Sequence, residues 1–132
     1  MNPPQAPGGA VRFAGYAAVF DLPDRGGDVV RRGAFRTGAP VPLLWQHRGA
    51  PVGRIERIEE DSRGLRVIGR VEDAALARAV ARGAVTGLSF GYRVRAARRG
   101  LRRQLDEVQL LEVSLVASPM QPLARVHAVE AA

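Results

Sequence analysis

The sequence predicts a mainly β fold with one or two helices, arranged as a small closed β-barrel or closed sheet. Three observations point there. Apolar residues recur with period 2 over most of the chain. Only one segment repeats them at helical spacing. Turn-forming residues, 15 Gly and 9 Pro, break the pattern at short intervals. A chain of 132 residues suffices for one domain whose core holds without staples.

The first ten residues are rich in Pro and Gly and carry no charged side chain, as a flexible leader would. Residues 11–20 alternate through Val11, Phe13, Gly15, Ala17 and Val19 and predict a strand. Residues 21–33 are rich in Asp, Gly, Arg and Pro, a long loop with a short pairing segment at Val29 and Val30. Residues 34–37 suit a single helical turn. Pro40 and Pro42 frame a short apolar run, 41–45, that suits a buried strand and ends at Gln46 and His47. Residues 51–60 and 64–71 alternate on either side of a polar, glycine-containing link, as a hairpin does.

Residues 73–82 predict the clear helix. Asp73 caps it, its alanines favour it, and Leu76, Ala79 and Val80 make an apolar stripe before Gly83 ends it. Residues 88–94 and 107–116 read as strands flanking an arginine-rich stretch around Gly100. Pro119 and Pro122 stop the last of these, and residues 123–129 form a short final strand or a tail. The domain organisation is therefore a leader at 1–10, one domain at 11–129 and a tail at 130–132.

Composition narrows the function classes. There is no cysteine, which excludes disulfides, thiolate zinc sites and a cysteine nucleophile. No run is long and apolar enough for a membrane helix, and the N-terminus lacks the basic and apolar regions of a signal peptide, so a cytoplasmic protein is expected. The net charge is +7, and all 20 basic residues are arginine. Their densest group, Arg93 to Arg103, has Tyr92 at one flank but no interleaved aromatics of a base-stacking platform. It reads as a solvated loop or hairpin or, less readily, as a site for an acidic partner. Two separate histidines and scattered carboxylates give no metal-ligand spacing, and neither a phosphate-binding loop nor a dinucleotide fingerprint is present. No cofactor or metal is expected.

Four residues stand out as chemistry. His47, at the mouth of a buried strand, can be held rigidly yet reach solvent, as a general base must; a lone surface histidine is the plainer reading. Ser89 lies in Gly87-Leu88-Ser89-Phe90-Gly91, on the strand face opposite Leu88, Phe90 and Tyr92, between glycines that keep the backbone open to an approaching chain. The spacing is Gly-x-Ser-x-Gly, but strand character continues through it, unlike the strand-to-helix elbow of α/β-hydrolases. The alternative is a serine on the polar face of a strand. Glu112 is a carboxylate within an apolar strand, costly unless partnered; an imidazole would partner and be oriented by it, and an arginine is the competitor. Ser114 projects to the same face. Nothing around His127 suggests a site.

Taken together, four segments resemble the motifs of the HK97-type phage prohead proteases, in the same order. They are 21–35 (DLPDRGGDVVRRGAF), 41–47 with 51–53 (VPLLWQH, PVG), 83–92 (GAVTGLSFGY) and 111–120 (LEVSLVASPM). The resemblance covers roughly residues 13–126. That family is similar in fold to the herpesvirus assembly proteases, a small closed β-barrel whose site is a serine and two histidines. The resemblance implies a serine endopeptidase with Ser89 as nucleophile and His47 as general base. The later strand offers Glu112 in place of the second histidine, with His127 a rival and Ser114 a supporting partner. It further implies cleavage of scaffold or capsid precursors, and of the protease itself, inside the assembling procapsid in a host bacterium's cytoplasm. The partners would be the major capsid protein and its scaffold segment, with a homodimer possible. A phage, a prophage or a gene transfer agent would each fit. Family members often carry a tail beyond the catalytic domain; here the chain ends soon after the last motif. Two other classes remain open: a catalytically inactive scaffolding module that binds capsid protein, and an arginine-rich nucleic-acid-binding domain.

Overall fold

A computed structural model describes residues 9–35 and 40–132. The expected leader lies, for its first eight residues, outside the described residues, as does the end of the expected helical turn at 34–37. Eight strands and one helix follow in order: β1 Val11–Val19, β2 Val29–Val30, β3 Pro42–Trp45, β4 Arg48–Glu60, β5 Gly64–Val71, α1 Ala74–Ala81, β6 Gly87–Arg98, β7 Gln104–Val116 and β8 Val126–Ala131. The mainly β class expected from the period-2 pattern is the one found.

One sheet contains all eight strands. β7 carries β6 antiparallel on one edge. On the other edge it carries β2 and β3, both parallel, one after the other along its length. From β3 the sheet continues through β4, β5 and β1 to β8. Between β2 and β3, Phe35 forms an isolated parallel bridge to Val108.

The sheet does not close into the expected barrel. β6 and β8 are its ends, joined by an isolated bridge between Gly87 and Arg125. Two backbone bonds flank it, Leu88 N–H to the Ala124 carbonyl at 2.9 Å and Val126 N–H to the Thr86 carbonyl at 2.8 Å. The reason is local. Pro119 and Pro122 keep residues 117–125 out of a ladder, so β8 begins only at Val126 and runs along β1. Where β8 is missing, Gln121 takes its place. Its side-chain amide accepts from Val19 N–H at 2.8 Å and donates to the Val19 carbonyl at 2.9 Å, as a strand partner would.

The core is built by the inward residues of the alternating strands. Phe13, Leu43, Leu65, Val67, Leu88, Leu105, Val113 and Leu115 are each at most 1% exposed. A bulge between Ile55 and Arg57 resets the alternation in β4, so that Ile55 and Ile58 both turn inward. α1 covers one end through Ala77 and Val80, with Asp73 accepting the Leu76 N–H at its start. The arginine-rich stretch is a hairpin: β6 runs to Arg98 and β7 starts at Gln104, both longer than the pattern suggested, with residues 99–103 as the link. Arg98 gripping Asp106 at 2.7 and 2.9 Å, and Arg95 bonded to Gln109 at 2.6 Å, tie the projecting hairpin across its ladder.

Candidate active site

Strand register brings the singled-out residues together. Ser89 pairs with Ser114 and Gly91 with Glu112 across β6 and β7. Residues two apart on a strand share a face, so Ser89, Gly91, Glu112 and Ser114 make one patch. β3 runs parallel to the other edge of β7, with Leu44 beside Ser114 and Trp45 beside Leu115. The turn after β3 therefore arrives level with Ser114, and that turn carries His47.

It is the tightest kind of hairpin link. Trp45 pairs with Arg48, leaving Gln46 and His47 alone between the strands, both with positive φ (55° and 63°). Such two-residue turns suit right-twisted strands but normally use Asn and Gly. Non-glycine residues in this conformation store strain that the surroundings must hold. Here Gln46 N–H donates to the Leu115 carbonyl at 3.0 Å, and Gln46 Oε1 accepts from Ala117 N–H at 2.7 Å. His47 N–H donates to Ser114 Oγ at 3.0 Å. The turn is clamped at three points to β7 and the residue that follows it.

The His47 ring is clamped as well. Its Nδ1 lies 2.5 Å from Glu112 Oε1. An ionised carboxylate can only accept, so Nδ1 carries a proton, and in the neutral ring the lone pair then sits on Nε2. The second carboxylate oxygen, Oε2, accepts from Ser114 Oγ at 2.7 Å. Ser114 is fully buried and has both hydrogen-bonding roles filled by the site. The Glu112 side chain is 12% exposed, so its charge is answered by partners rather than by water. The arginine partner that competed for Glu112 in the sequence is not the one found.

The glycines flanking Ser89 serve the chain itself. A Cβ at Gly91 would run into the Glu112 carboxyl, and one at Gly87 would meet the Val116 carbonyl and Pro119. The room at Gly91 is thus taken by Glu112, not left for a substrate as the spacing suggested. Ser89, 7% exposed, and His47 line one cavity of about 150 Å³ together with Ala17, Asp24, Leu88, Phe90, Tyr92, Met120 and Gln121. Ser89 Oγ has no hydrogen-bond partner among the described residues.

His127 lies elsewhere, its ring edge-on to Tyr16 at 5.4 Å between centroids. It takes no part in the arrangement around Ser89. Sequence reading missed Gln46, Gln121, Asp24 and Met120. All four fall in loops where no period assigns a side chain to a face, although Asp24, Gln46 and Met120 lie within the motif segments. No group of three or more potential metal ligands occurs among the described residues.

The cavity wall is electrostatically ordered on its far side. Arg103 grips Asp28 at 2.6 and 3.0 Å and holds its carboxyl below the usual range. Burial first, then the charges of Asp28 and Asp24, push the Tyr92 phenol above its ordinary value, so it stays protonated. Phe35 meets Phe90 edge-on with centroids 5.2 Å apart, and Phe90 lies tilted on Tyr92 at 4.8 Å.

The fold is that of the herpesvirus proteases. A crystal structure of KSHV protease in complex with a hexapeptide phosphonate inhibitor superposes with a TM-score of 0.60 and 14% identity, covering 91% of this chain and 64% of that one. A second KSHV protease structure gives 0.50 and 15% over 81% of this chain and 55% of that one. Within that class the chain belongs to a particular family, the Caudovirus prohead serine proteases, whose family model matches residues 4–132. It is 34% identical over 94 residues to the prohead protease of Enterobacteria phage HK97, which covers 62% of this chain and 42% of that protein. The chain thus spans under half the length of this relative.

Proposed function

We propose that this chain is a serine endopeptidase of phage-like capsid maturation, with Ser89 as nucleophile, His47 as general base and Glu112 orienting the base. The observation that carries it is the 2.5 Å bond from His47 Nδ1 to Glu112, which fixes the tautomer of an imidazole sharing a cavity with Ser89. A triad works by that division of labour, whatever fold presents it.

The reaction follows from the same tautomer. Ser89 Oγ attacks the scissile carbonyl carbon as its proton passes to His47 Nε2. The imidazolium that forms is stabilised by the Glu112 carboxylate, whose other oxygen accepts from Ser114 Oγ. Collapse of the tetrahedral intermediate breaks the C–N bond, and His47 returns the proton to the leaving amine. Water then attacks the acyl-enzyme with His47 again as base, releasing the acid and restoring Ser89. Family membership supports scaffold and capsid precursors, with the protease itself, as substrates, and the procapsid interior as the place of action. The major capsid protein and its scaffold segment are the proposed partners, with a homodimer a further possibility. No helix among the described residues is long and apolar enough to cross a membrane.

Co-expression with the neighbouring major capsid protein, beside a Ser89→Ala version, tests this by intact mass. The expected result is a defined truncation of the capsid protein or of this chain that the Ser89→Ala version lacks. Association of the two proteins without truncation in either version would instead identify an inactive scaffolding module.

A further inference from the structure

Ser89 and His47 share their cavity with one acidic residue, Asp24. The rest of the lining is apolar or neutral: Ala17, Leu88, Phe90, Tyr92, Met120 and Gln121. Asp24 sits in the loop between β1 and β2, and one of its oxygens is structural. Oδ1 accepts from Gly26 N–H at 2.8 Å and Asp28 N–H at 3.0 Å, folding the loop on itself. The other oxygen, Oδ2, has no hydrogen bond or ion pair among the described residues. The neighbouring Arg103 is already committed to Asp28 through two bonds. The loop is fixed against the far wall, because Arg25 N–H donates to the Met120 carbonyl at 2.9 Å. Asp24 is therefore held at the cavity with one acceptor oxygen unspent.

We propose that Asp24 is a specificity-determining residue, selecting substrates with a lysine or arginine side chain next to the scissile bond. This rests on the peptidase reading above. The cavity's about 150 Å³ is well below the ~300–1,000 Å³ of small-molecule pockets and suits a single side chain. Lysine and arginine have the matching build: an aliphatic stem for the walls of Phe90, Leu88 and Met120, and a cationic head for the free carboxylate oxygen. A charge-assisted hydrogen bond in a partly desolvated site discriminates its partner from a neutral isostere by on the order of 10- to 100-fold.

The test uses the full chain, as wild type, Asp24→Asn and Ser89→Ala, on reduced and alkylated casein with cleavage sites mapped by mass spectrometry. A matched peptide pair follows, differing only by lysine or norleucine at the enriched position. Asparagine keeps an oxygen for the Gly26 and Asp28 amides and removes the charge. In wild type, lysine or arginine is expected beside the Ser89-dependent cleavages, with a lysine-to-norleucine rate ratio of about 10 to 100. In Asp24→Asn the ratio is expected to fall towards about 1; as a ratio within one preparation, it is insensitive to the folded fraction. Cleavage without basic residues at the flanking positions in wild type overturns the proposal without need of the variant. So does a ratio that survives in Asp24→Asn. No Ser89-dependent cleavage at all would overturn the peptidase reading, and this inference with it.

Discussion

At the scale of single residues, the arrangement around Ser89 depends on a vacancy as much as on functional groups. Glu112 reaches His47 because the residue opposite it on β6 is glycine. A methyl group at 91 would occupy the space of the Glu112 carboxyl and its neighbouring carbons. What must move is the end of a flexible side chain, not backbone, so the cost to folding is small. The cost to chemistry is large, because the displaced carboxylate no longer fixes the Nδ1–H tautomer. Gly91→Ala is therefore expected to lower turnover by about 10²- to 10⁴-fold, the scale at which a triad loses its orienting carboxylate. Its melting temperature should move by only a few degrees, the effect of about 1 kcal/mol in a domain of this size. Peptide hydrolysis and circular dichroism on one preparation separate the two. Unchanged turnover would mean that Glu112 does not orient the base. Residue type marked Ser89, His47 and Glu112 only as candidates in the sequence, and the resemblance of the four motifs supplied their expected roles. The use of Gly91 was not legible, because a glycine reports that space is needed without saying which atoms fill it.

Elements explain why some of the site could be read and some could not. The serine and glutamate motifs lie on strands, where period 2 assigns each side chain to a face. His47 lies in a two-residue turn made of Gln and His, which carry none of the usual Asn-Gly signature. The sequence therefore placed His47 at the end of a strand and began the next one at residue 51. In the structure β4 begins at Arg48, and the strained turn is pinned by Leu115 and Ser114 of β7 and by Ala117 just after it. The same limit hid Gln121. It lies between two prolines, outside any periodic segment, yet its amide completes the edge of β1 where β8 has not begun. Gln121→Ala would leave the Val19 N–H and carbonyl without that partner in a site only 5% exposed at residue 121. With about 1–3 kcal/mol for each of the two buried groups left unpaired, the expected loss is about 2–6 kcal/mol. Urea denaturation should show a lower midpoint at unchanged slope, since the amount of surface exposed on unfolding hardly alters. A midpoint within error of wild type would show that water takes over both bonds.

For the whole molecule, the dominant fact is an excess of fixed positive charge over carboxylates that are nearly all in use. Several carboxyls are held below their ordinary range: Asp28 by Arg103, Glu56 by Arg12, and Asp106 by Arg98. Burial opposes the same shift at Asp61, but the Tyr16 hydroxyl and the Arg63 and Gly64 amides outweigh it. A carboxyl whose folded pKa is depressed contributes stability that is fully present above its unfolded value. That contribution is lost as pH falls through the folded value. The unfolded values lie at about 3.9 for Asp and 4.3 for Glu, so the loss falls below about pH 4. Each exposed pair is worth little by itself. Their joint protonation does something more, because the arginines cannot follow. The net charge rises from +7 at neutral pH towards that of 20 arginines and 2 histidines with no carboxylate to offset them. Self-repulsion then adds to the lost pairs. The two contributions respond oppositely to salt. Screening weakens the pairs, which alone would move the acid midpoint to higher pH, and it relieves the repulsion, which moves it lower. With so large an excess of arginine, the repulsion should win. Acid unfolding followed by circular dichroism is expected to begin below about pH 4, with the midpoint shifting to lower pH as sodium chloride is added. A shift in the other direction would mean that the named pairs, rather than net charge, set the acid stability of this fold.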